Sequence, residues 1–336
     1  MISPSWPFHP NRFPFYYGWV VLGISTLGVL CSIPGQTIGL AVFTDHFMEA
    51  LGLQRTEISL AYLIGTVGAS LLLTTAGRYF DLWGARVMIP ITSILLSLSI
   101  IFMSVIDKIN SILGAPSVVS FGLITIGYFG ARLFGQGVLT NCCRNVLLLW
   151  FDKQRGLAIG IRNLFVTFGF SIAPILIGGS IAMIGWRETL WIMAGLAGIL
   201  FFLLSILFVR DTPESCGLKM DGIDSRDLEE TVLCGFNNTL KEAKNSPVFW
   251  LYSLSLSMSA LFGTALVFHI VSIFSEAGRD ASEAFGYFFP AAICATSTNF
   301  IASYISDKIS LKPFLIIMLT AMLLGAIGFI NLNQNW

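Results

Sequence analysis

Charge is scarce in this sequence. Only 11% of its 336 residues are charged, and 19 basic residues balance 19 acidic ones, whereas a soluble domain has about 25% charged residues. The scarcity disfavours a soluble protein, and the balance gives no indication of nucleic acid or of an acidic partner. With 55% apolar residues and a mean hydropathy of +0.79, the chain is predicted to be an all-α, multi-pass protein of the lipid bilayer.

Chemically reactive groupings are also missing. The six cysteines lie in apolar runs or near their ends and favour reduced thiols over a disulfide framework. No residue spacing is typical of a metal site, a nucleotide-binding loop or a catalytic nucleophile, so we expect no metal, no cofactor and no enzymatic activity. The first residues have no basic cluster and no small-residue cleavage site, so a cleaved signal peptide is not expected.

Charge-free stretches predict nine membrane spans, because a spanning helix needs roughly 20 apolar residues. The first helix is expected to begin at Tyr17, where aromatic residues suit the membrane interface. The fifth is expected to begin before Arg162. The stretches are 13–44, 58–77, 87–106, 109–131, 163–186, 189–209, 245–275, 284–306 and 313–336.

Basic residues predict the orientation. With nine spans, one side of the membrane receives thirteen lysines and arginines and the other receives four, while Arg132 and Arg162 fall within spans. Because basic residues concentrate on the cytoplasmic side, the N-terminus, residues 1–16, is predicted to be cytoplasmic. The polar segment 211–246 is then a cytoplasmic linker between a six-helix bundle, residues 17–210, and a three-helix bundle, residues 247–336.

The two bundles share polar residues at a single offset of 226 positions. The pairs are Gly52 and Gly278, Thr56 and Ser282, Glu57 and Glu283, Asp81 and Asp307, and Arg86 and Lys312. Such agreement indicates an internal repeat, in which the second copy is truncated and lacks roughly 100 residues, or three helices.

The loop sequence GRYFDLWGAR, residues 77–86, resembles the signature of the major facilitator superfamily. Gly77, Asp81, Gly84 and Arg86 match that signature, whereas Ala85 stands where the family usually has a basic residue. The segment ARLFGQG also resembles the family's motif in its fourth helix, with Arg132 followed by glycines. The resemblance implies two parallel six-helix repeats and secondary active transport of a small solute by alternating access.

Other segments resemble one branch of that superfamily, the oxalate/formate antiporters and monocarboxylate transporters. They are YYGWVV, LQRTEIS, WFDKQRGLAIGI, GWRETLW, VRDTPESCGL and FWLY…FHIVSIF. The branch implies a carboxylate among the candidate substrates, H⁺ or a counter-substrate as the coupling partner, and a bacterial inner (plasma) membrane. It says nothing of the oligomeric state.

The loop motif has a functional and a structural interpretation. Gly77 and Gly84 would permit a tight turn, and Asp81 would accept hydrogen bonds from a helix N-terminus or pair with an arginine. With Arg86 and the equivalent Asp307, this contact would close the cytoplasmic side between the two halves. The alternative is a solvated loop with ordinary cytoplasmic charges.

Arg132 is the strongest candidate for substrate or proton coupling. An unpaired cation at mid-membrane costs about 2.5–3.5 kcal/mol, so its side chain should face a polar cavity or a partner. The alternative is a structural bond to a backbone carbonyl or a polar neighbour. Arg162, near the end of its helix, is a weaker candidate, since its side chain could extend to the interface.

Two neutral residues complete the candidate set. His269 would titrate near physiological pH, and it could equally be a hydrogen-bonded residue near the outer interface. Gln36 stands approximately where monocarboxylate transporters have a functional lysine, which weakens the case for a carboxylate. A non-transporting truncated membrane protein, or a gene fragment of a transporter, is the alternative function. A channel fits less well.

Overall fold

The computed structural model describes residues 6–114, 116–152, 154–220, 245–306 and 312–332, and the regular structure in these ranges is helical. Three short 3₁₀ turns cover Pro10–Arg12, Ile33–Gly35 and Glu214–Cys216. The α-helices are α1 (Gly18–Cys31), α2 (Thr37–Ala41), α3 (Thr44–Leu51), α4 (Arg55–Trp83), α5 (Ala85–Ser104), α6 (Ile106–Ile112), α7 (Ser117–Trp150), α8 (Arg155–Ile184), α9 (Trp186–Phe208), α10 (Pro247–Glu276), α11 (Ala281–Gly286), α12 (Phe288–Ser306) and α13 (Lys312–Ile330).

Seven helices of the described residues are long and apolar enough to cross a membrane: α4, α5, α7, α8, α9, α10 and α13. They correspond to the second to seventh and the ninth predicted spans. The first predicted span is a broken segment, in which α1 has only 14 residues and is followed by the turn Ile33–Gly35 and by α2. The eighth is α12, with 19 residues. An all-α, multi-pass membrane protein is confirmed.

Two predicted boundaries are wrong. The second span was placed at 58–77, but α4 continues to Trp83, and the fourth was placed at 109–131, but α7 covers 34 residues from Ser117 to Trp150. Both errors have one cause, because a span was ended at each charged residue. In α7 the chain stays helical through Arg132 and Arg144, and both side chains line a polar cavity.

The described chain divides into two units, Met1–Ile223 and Asp224–Trp336. In the first unit α5 is central, with 56% of its apolar stretch buried, and it packs against α7 and α9. The last part of α7 packs against α1, while α4 lies along the first part of α7. Apolar side chains on the outer faces, such as Leu71 and Met183, are exposed, as expected for surfaces that face lipid.

The second unit, taken by itself, has the turn that the repeat predicts. α3 ends at Gly52, with φ +64°, and Gly278 after α10 has φ +72°. The next helices begin at Arg55 and Ala281, which are again 226 positions apart. Left-handed glycines that end helices are common because glycine has no Cβ. The linker residues 221–244, and with them most of the predicted segment 211–246, lie outside the described residues.

The cysteines of the described residues are free thiols: Cys31, Cys142, Cys143, Cys216 and Cys294. This agrees with the expectation that they form no disulfide framework. Cys216 lies outside the spans, in the turn after α9, and burial raises the pKa of its thiol. Such a thiol is a weak nucleophile at neutral pH.

Candidate functional site

The first element of the site is the break after α1. Pro34 has no N–H group and cannot continue the α-helical pattern, so the chain makes a 3₁₀ turn over Ile33–Gly35, and Gln36 is extended, with φ −86° and ψ 154°. The helix resumes at Thr37 as α2. The break leaves the Gly35 carbonyl free of an α-helical hydrogen bond, next to α7.

The second element is a π-helical stretch in α7, over Arg132–Leu139. At its end the backbone N–H of Thr140 bonds the carbonyl of Gly135, five residues earlier, which is the π-helical pattern. The wider turn meets the break in the first span at two glycines. A Cβ on Gly35 would lie 2.8 Å from the Gly135 Cα, and a Cβ on Gly135 would lie 2.8 Å from the Gly35 Cα. Only glycine permits this approach.

Arg132 lies at this junction and is 7% exposed. Its Nη1 makes long hydrogen bonds to the Gly35 carbonyl, at 3.4 Å, and to Thr37 Oγ1, at 3.3 Å. Its guanidinium carbon lies 5.1 Å from the centre of the Tyr62 ring, and the Tyr62 hydroxyl is 2.8 Å from Thr37 Oγ1. Its Nε has no hydrogen-bond partner among the described residues. The cation is therefore held by neutral groups.

Arg132 lines a cavity of about 370 Å³ between the break, α4, α7 and α8. Gln36 also lines it, and its Nε2 donates to Ser32 Oγ at 2.9 Å and to Thr140 Oγ1 at 3.1 Å. The other polar residues in the lining are Thr66, Ser70, Gln136, Thr140, Asn141 and Arg144. The described lining contains two arginines and no acidic residue. This cavity would attract an anion.

Among the described residues, neither arginine forms an ion pair with a carboxylate; the four ion pairs of the described chain lie elsewhere. Arg144 was counted in the sequence as a charge of a cytoplasmic loop, so it was missed as a candidate. Tyr62 and Thr37 were missed as well. The spacing of 12 residues between Arg132 and Arg144 predicts that both lie on one helix face only if α7 is continuous and contains a π-helical turn. The sequence does not show either feature.

Arg162 and His269 do not join this cavity in the described structure. Arg162 is 5% exposed on α8. Its Nη1 lies 3.5 Å from Asn163 Oδ1, and its Nε has no partner among the described residues. The suggestion that its side chain extends to the interface is therefore wrong. His269 is half-buried on α10 of the second unit, with its ring 5.1 Å from that of Phe268.

The loop motif is arranged differently from the prediction. Gly77 lies inside α4, and a Cβ there would meet nothing within 4 Å, so its predicted role in a turn is wrong. A single glycine inside a helix costs only about 1 kcal/mol, which the remaining helix-forming sequence overcomes. The turn is at Gly84, with φ +79°, and Asp81 is exposed on the last turn of α4. Asp307 lies outside the described residues.

Arg86 is buried in the first unit, with 4% exposure. Its backbone N–H donates to Asp211 Oδ1 at 2.8 Å, and its Nη2 donates to the Trp6 carbonyl. Gly84 faces the same carboxylate, since a Cβ there would lie 2.7 Å from Asp211 Cγ. Asp211 thus caps the N-terminus of α5 from a distant part of the chain. These contacts fix the corner between α4 and α5 within the first unit.

Helices that are apolar on their outer faces, and that line a polar cavity with a buried cation, define a multi-pass membrane protein with a candidate solute site. The family model described as Major Facilitator Superfamily matches residues 24–334. The chain therefore belongs to the Major Facilitator Superfamily, as its loop signature suggested.

Three curated relatives are similar over parts of the chain. A glycerol-3-phosphate transporter of Bacillus subtilis is 25% identical over 63% of this chain and 46% of its own length. The MFS-type transporter hasB of Aspergillus fumigatus is 27% identical over 56% of this chain and 40% of its own length. A protein of Escherichia coli named Probable L-galactonate transporter is 26% identical over 48% of this chain and 32% of its own length. The matched part of the chain thus spans less than half the length of each relative.

Proposed function

We propose that this protein is a secondary active transporter that moves a small organic anion across the membrane by alternating access. The observation that carries the proposal is Arg132, a buried guanidinium with neutral partners, in a cavity whose described lining has no acidic residue. Intramembrane charges are costly and mark solute or ion pathways. An anion that enters the cavity would neutralise the arginine and gain charge-assisted hydrogen bonds.

The relatives support an anionic substrate. The names of two of them specify glycerol 3-phosphate and L-galactonate, and both compounds are anions at neutral pH. The sequence resemblance to oxalate/formate and monocarboxylate carriers favours a carboxylate. What these substrates share is an oxyanion on a small polar skeleton, and the proposed substrate class is therefore small organic carboxylates and phosphate esters.

The proposal assigns a separate role to each residue of the site. Arg132 binds the oxyanion, with Tyr62 and Thr37 orienting the guanidinium through the contacts described above. Gln36 lines the same cavity, where its Nε2 donates to Ser32 and Thr140 and so fixes the wall beside Arg132. The corner at Gly84 and Arg86 holds α4 and α5 rigid, and the exposed Asp81 is free to meet the other half of the protein when the cytoplasmic side closes.

Coupling to H⁺ or to a counter-substrate belongs to the same proposal. Secondary active transport requires that the free energy of one solute gradient drives the movement of another. His269 is the proposed proton site, because imidazole is the side chain that titrates near neutral pH. Uptake driven by an imposed pH gradient into vesicles without internal solute would separate the options, because a proton symporter accumulates solute there and an obligate exchanger does not.

Counterflow in proteoliposomes tests the proposal. Vesicles loaded with an unlabelled solute are diluted into the labelled solute, for a panel of L-galactonate, sn-glycerol 3-phosphate, lactate and oxalate, with L-galactose as the uncharged counterpart of L-galactonate. We expect accumulation of at least one anion above empty liposomes, none of L-galactose, and loss of accumulation in Arg132→Gln. Absence of counterflow for every anion would contradict the proposal and favour a protein that does not transport.

A further inference from the structure

Arg144 lines the same cavity as Arg132, and nothing in the proposed mechanism uses it. The two arginines are 12 residues apart on α7. In a regular α-helix this spacing would place them about 120° apart around the axis, on different faces. The π-helical stretch Arg132–Leu139 lies between them, and a π-bulge that adds one residue to the helix reduces this angle to about 20°. The π-helical stretch thus explains why both side chains reach one cavity.

The same spacing keeps the two guanidinium groups apart. Twelve residues correspond to about 17 Å along the helix axis, and helical side chains lean toward the N-terminus in parallel. A small solute that contacts Arg132 therefore does not contact Arg144 at the same time. Between them, the lining presents Gln136, Thr140 and Asn141, whose side chains offer hydrogen bonds to a moving oxyanion.

The surroundings of the two arginines also differ. Arg132 is 7% exposed and is held by the break after α1, whereas Arg144 is exposed. Arg144 lies in the last turns of α7, which ends at Trp150, at the end of the cavity lining that is farther from Arg132 along the helix. Neither forms an ion pair with a carboxylate of the described residues.

We propose that Arg144 forms a second anion-binding station, which an oxyanion occupies on its way between the exposed end of the cavity at Arg144 and the buried station at Arg132. The inference rests on the proposed function only in naming the anion as the solute. The ligand chemistry is a carboxylate or phosphate oxyanion, and a free anion rather than a lipid headgroup is its source.

A reporter cysteine tests the station without any transport assay. Asn141 lines the cavity one turn before Arg144, and residues three apart on a helix are neighbours. In Asn141→Cys, the rates of labelling by a sulfonate-bearing and a trimethylammonium-bearing methanethiosulfonate are compared, each as the excess over the chain without the reporter. The neighbouring native thiols of Cys142 and Cys143 are buried, so their contribution is small. Inorganic phosphate is added as the probe for protection.

We expect the anionic reagent to react faster, and we expect Arg144→Gln to lower the ratio of the two rates about tenfold, as removal of one nearby charge would. Phosphate should slow labelling of the parent and should fail to do so in Arg144→Gln. Arg144→Lys keeps the charge and should keep the ratio. Arg132→Gln should leave protection in place, because the deeper station is separate.

Arg155→Gln is the matched control. It removes an arginine near the same end of the bundle, where Arg155 forms a half-exposed ion pair with Asp152 at 3.6 Å and does not line the cavity. An unchanged ratio in Arg144→Gln, an equal fall in Arg155→Gln, or loss of protection in Arg132→Gln would each overturn the proposal. So would the absence of any labelling of Asn141→Cys.

Two comparisons separate the remaining explanations. The labelling is repeated in maltoside detergent and in vesicles that contain phosphatidylglycerol. Protection by phosphate in both detergent and vesicles supports a station for a free anion. If the vesicles already lower the ratio of the two labelling rates and phosphate has no further effect, Arg144 binds a lipid headgroup and the proposal is overturned. If counterflow is absent but phosphate still protects Asn141→Cys, only the proposed transport is contradicted. If counterflow is present but phosphate does not protect Asn141→Cys, only the proposed station is contradicted.

Discussion

Arg132 is an unusual residue to retain in a membrane helix. Its partners are a carbonyl, a hydroxyl and an aromatic ring, all neutral, so its charge remains uncompensated by the described protein. A cation buried in this way lowers the stability of the protein, and its presence therefore suggests a functional role. The sequence predicted that Arg132 faces a polar cavity or a partner, and in the structure it lines a polar cavity and bonds the Gly35 carbonyl and Thr37. The sequence left open whether the arginine is structural or functional. The two interpretations predict opposite changes in stability when the arginine is replaced.

The unliganded stability of Arg132→Gln distinguishes these interpretations. Glutamine retains a donor for the Gly35 carbonyl and removes the charge. If the arginine serves the solute, the variant should unfold at the same temperature as the parent or at a higher one, because an uncompensated buried cation is gone. A structural arginine would instead cost about 3–5 kcal/mol when its buried bonds are broken, and the variant would unfold at a clearly lower temperature in the same detergent.

Gly84 and Asp211 form a second residue-level test. Gly84→Ala places a Cβ against the carboxylate at a backbone conformation with φ +79°, and Asp211→Ala removes the cap on the Arg86 N–H, at a cost of about 1 kcal/mol. We expect the double variant to be more stable than the sum of the single effects predicts, because Asp211→Ala makes room for the alanine. Additive effects in thermal unfolding would show that the two positions do not interact.

At the scale of elements, the site depends on two irregularities that meet. The break after α1 and the π-helical stretch of α7 approach through Gly35 and Gly135. Pro34 is a signal in the sequence for the break after α1. The π-helical stretch left no such sign, since its residues also suit an α-helix, and its geometry is imposed by packing.

Substitution of these glycines tests the element-level account. Gly35→Ala and Gly135→Ala should each lower the unfolding temperature and the yield of folded protein, because a methyl group would lie within 3 Å of the facing backbone. The controls are Gly23→Ala on α1 and Gly122→Ala on α7, where a Cβ would meet nothing within 4 Å. Equal effects at the two kinds of position would show that the close approach is unimportant.

The sequence predicted the presence of the spans better than their ends. A count of charge-free stretches tends to end a helix near a charge, so it allowed Arg132 within the fourth span but assigned Arg144 to a loop. The loop motif also predicted a turn at Gly77, whereas the residues after Gly77 remain helical. Of the two glycines in the motif, only Gly84 has a positive φ. Whether a helix tolerates a charge or a glycine depends on what packs against it, and that information is not local in the sequence.

At the scale of the whole molecule, the repeat is the principal feature. The offset of 226 positions was found from a few polar residues, and the described structure has equivalent helix starts at Arg55 and Ala281 after equivalent glycines. Tertiary context sets side-chain contacts, but a tight turn depends on local sequence, so the turns were the predictable part of the repeat.

Topology follows from the repeat and can be measured. In parallel repeats, equivalent loops lie on the same side of the membrane. Gln54→Cys and Asp280→Cys should therefore be labelled from one face by an impermeant maleimide, and Lys219→Cys, in the segment after α9, from the opposite face. The positive-inside bias predicts that this opposite face is cytoplasmic. Labelling of positions 54 and 280 from opposite faces would contradict the repeat.

Anion-dependent stabilisation in nanodiscs tests the central claim most directly, that the cavity at Arg132 binds an organic anion. A ligand that binds the folded protein raises the free energy of unfolding by about 2.7 kcal/mol at 100 times its Kd. The account predicts that an anion found by counterflow raises the Tm of the parent and of Arg155→Gln, that L-galactose does not, and that Arg132→Gln loses the shift. An undiminished shift in Arg132→Gln would contradict the account.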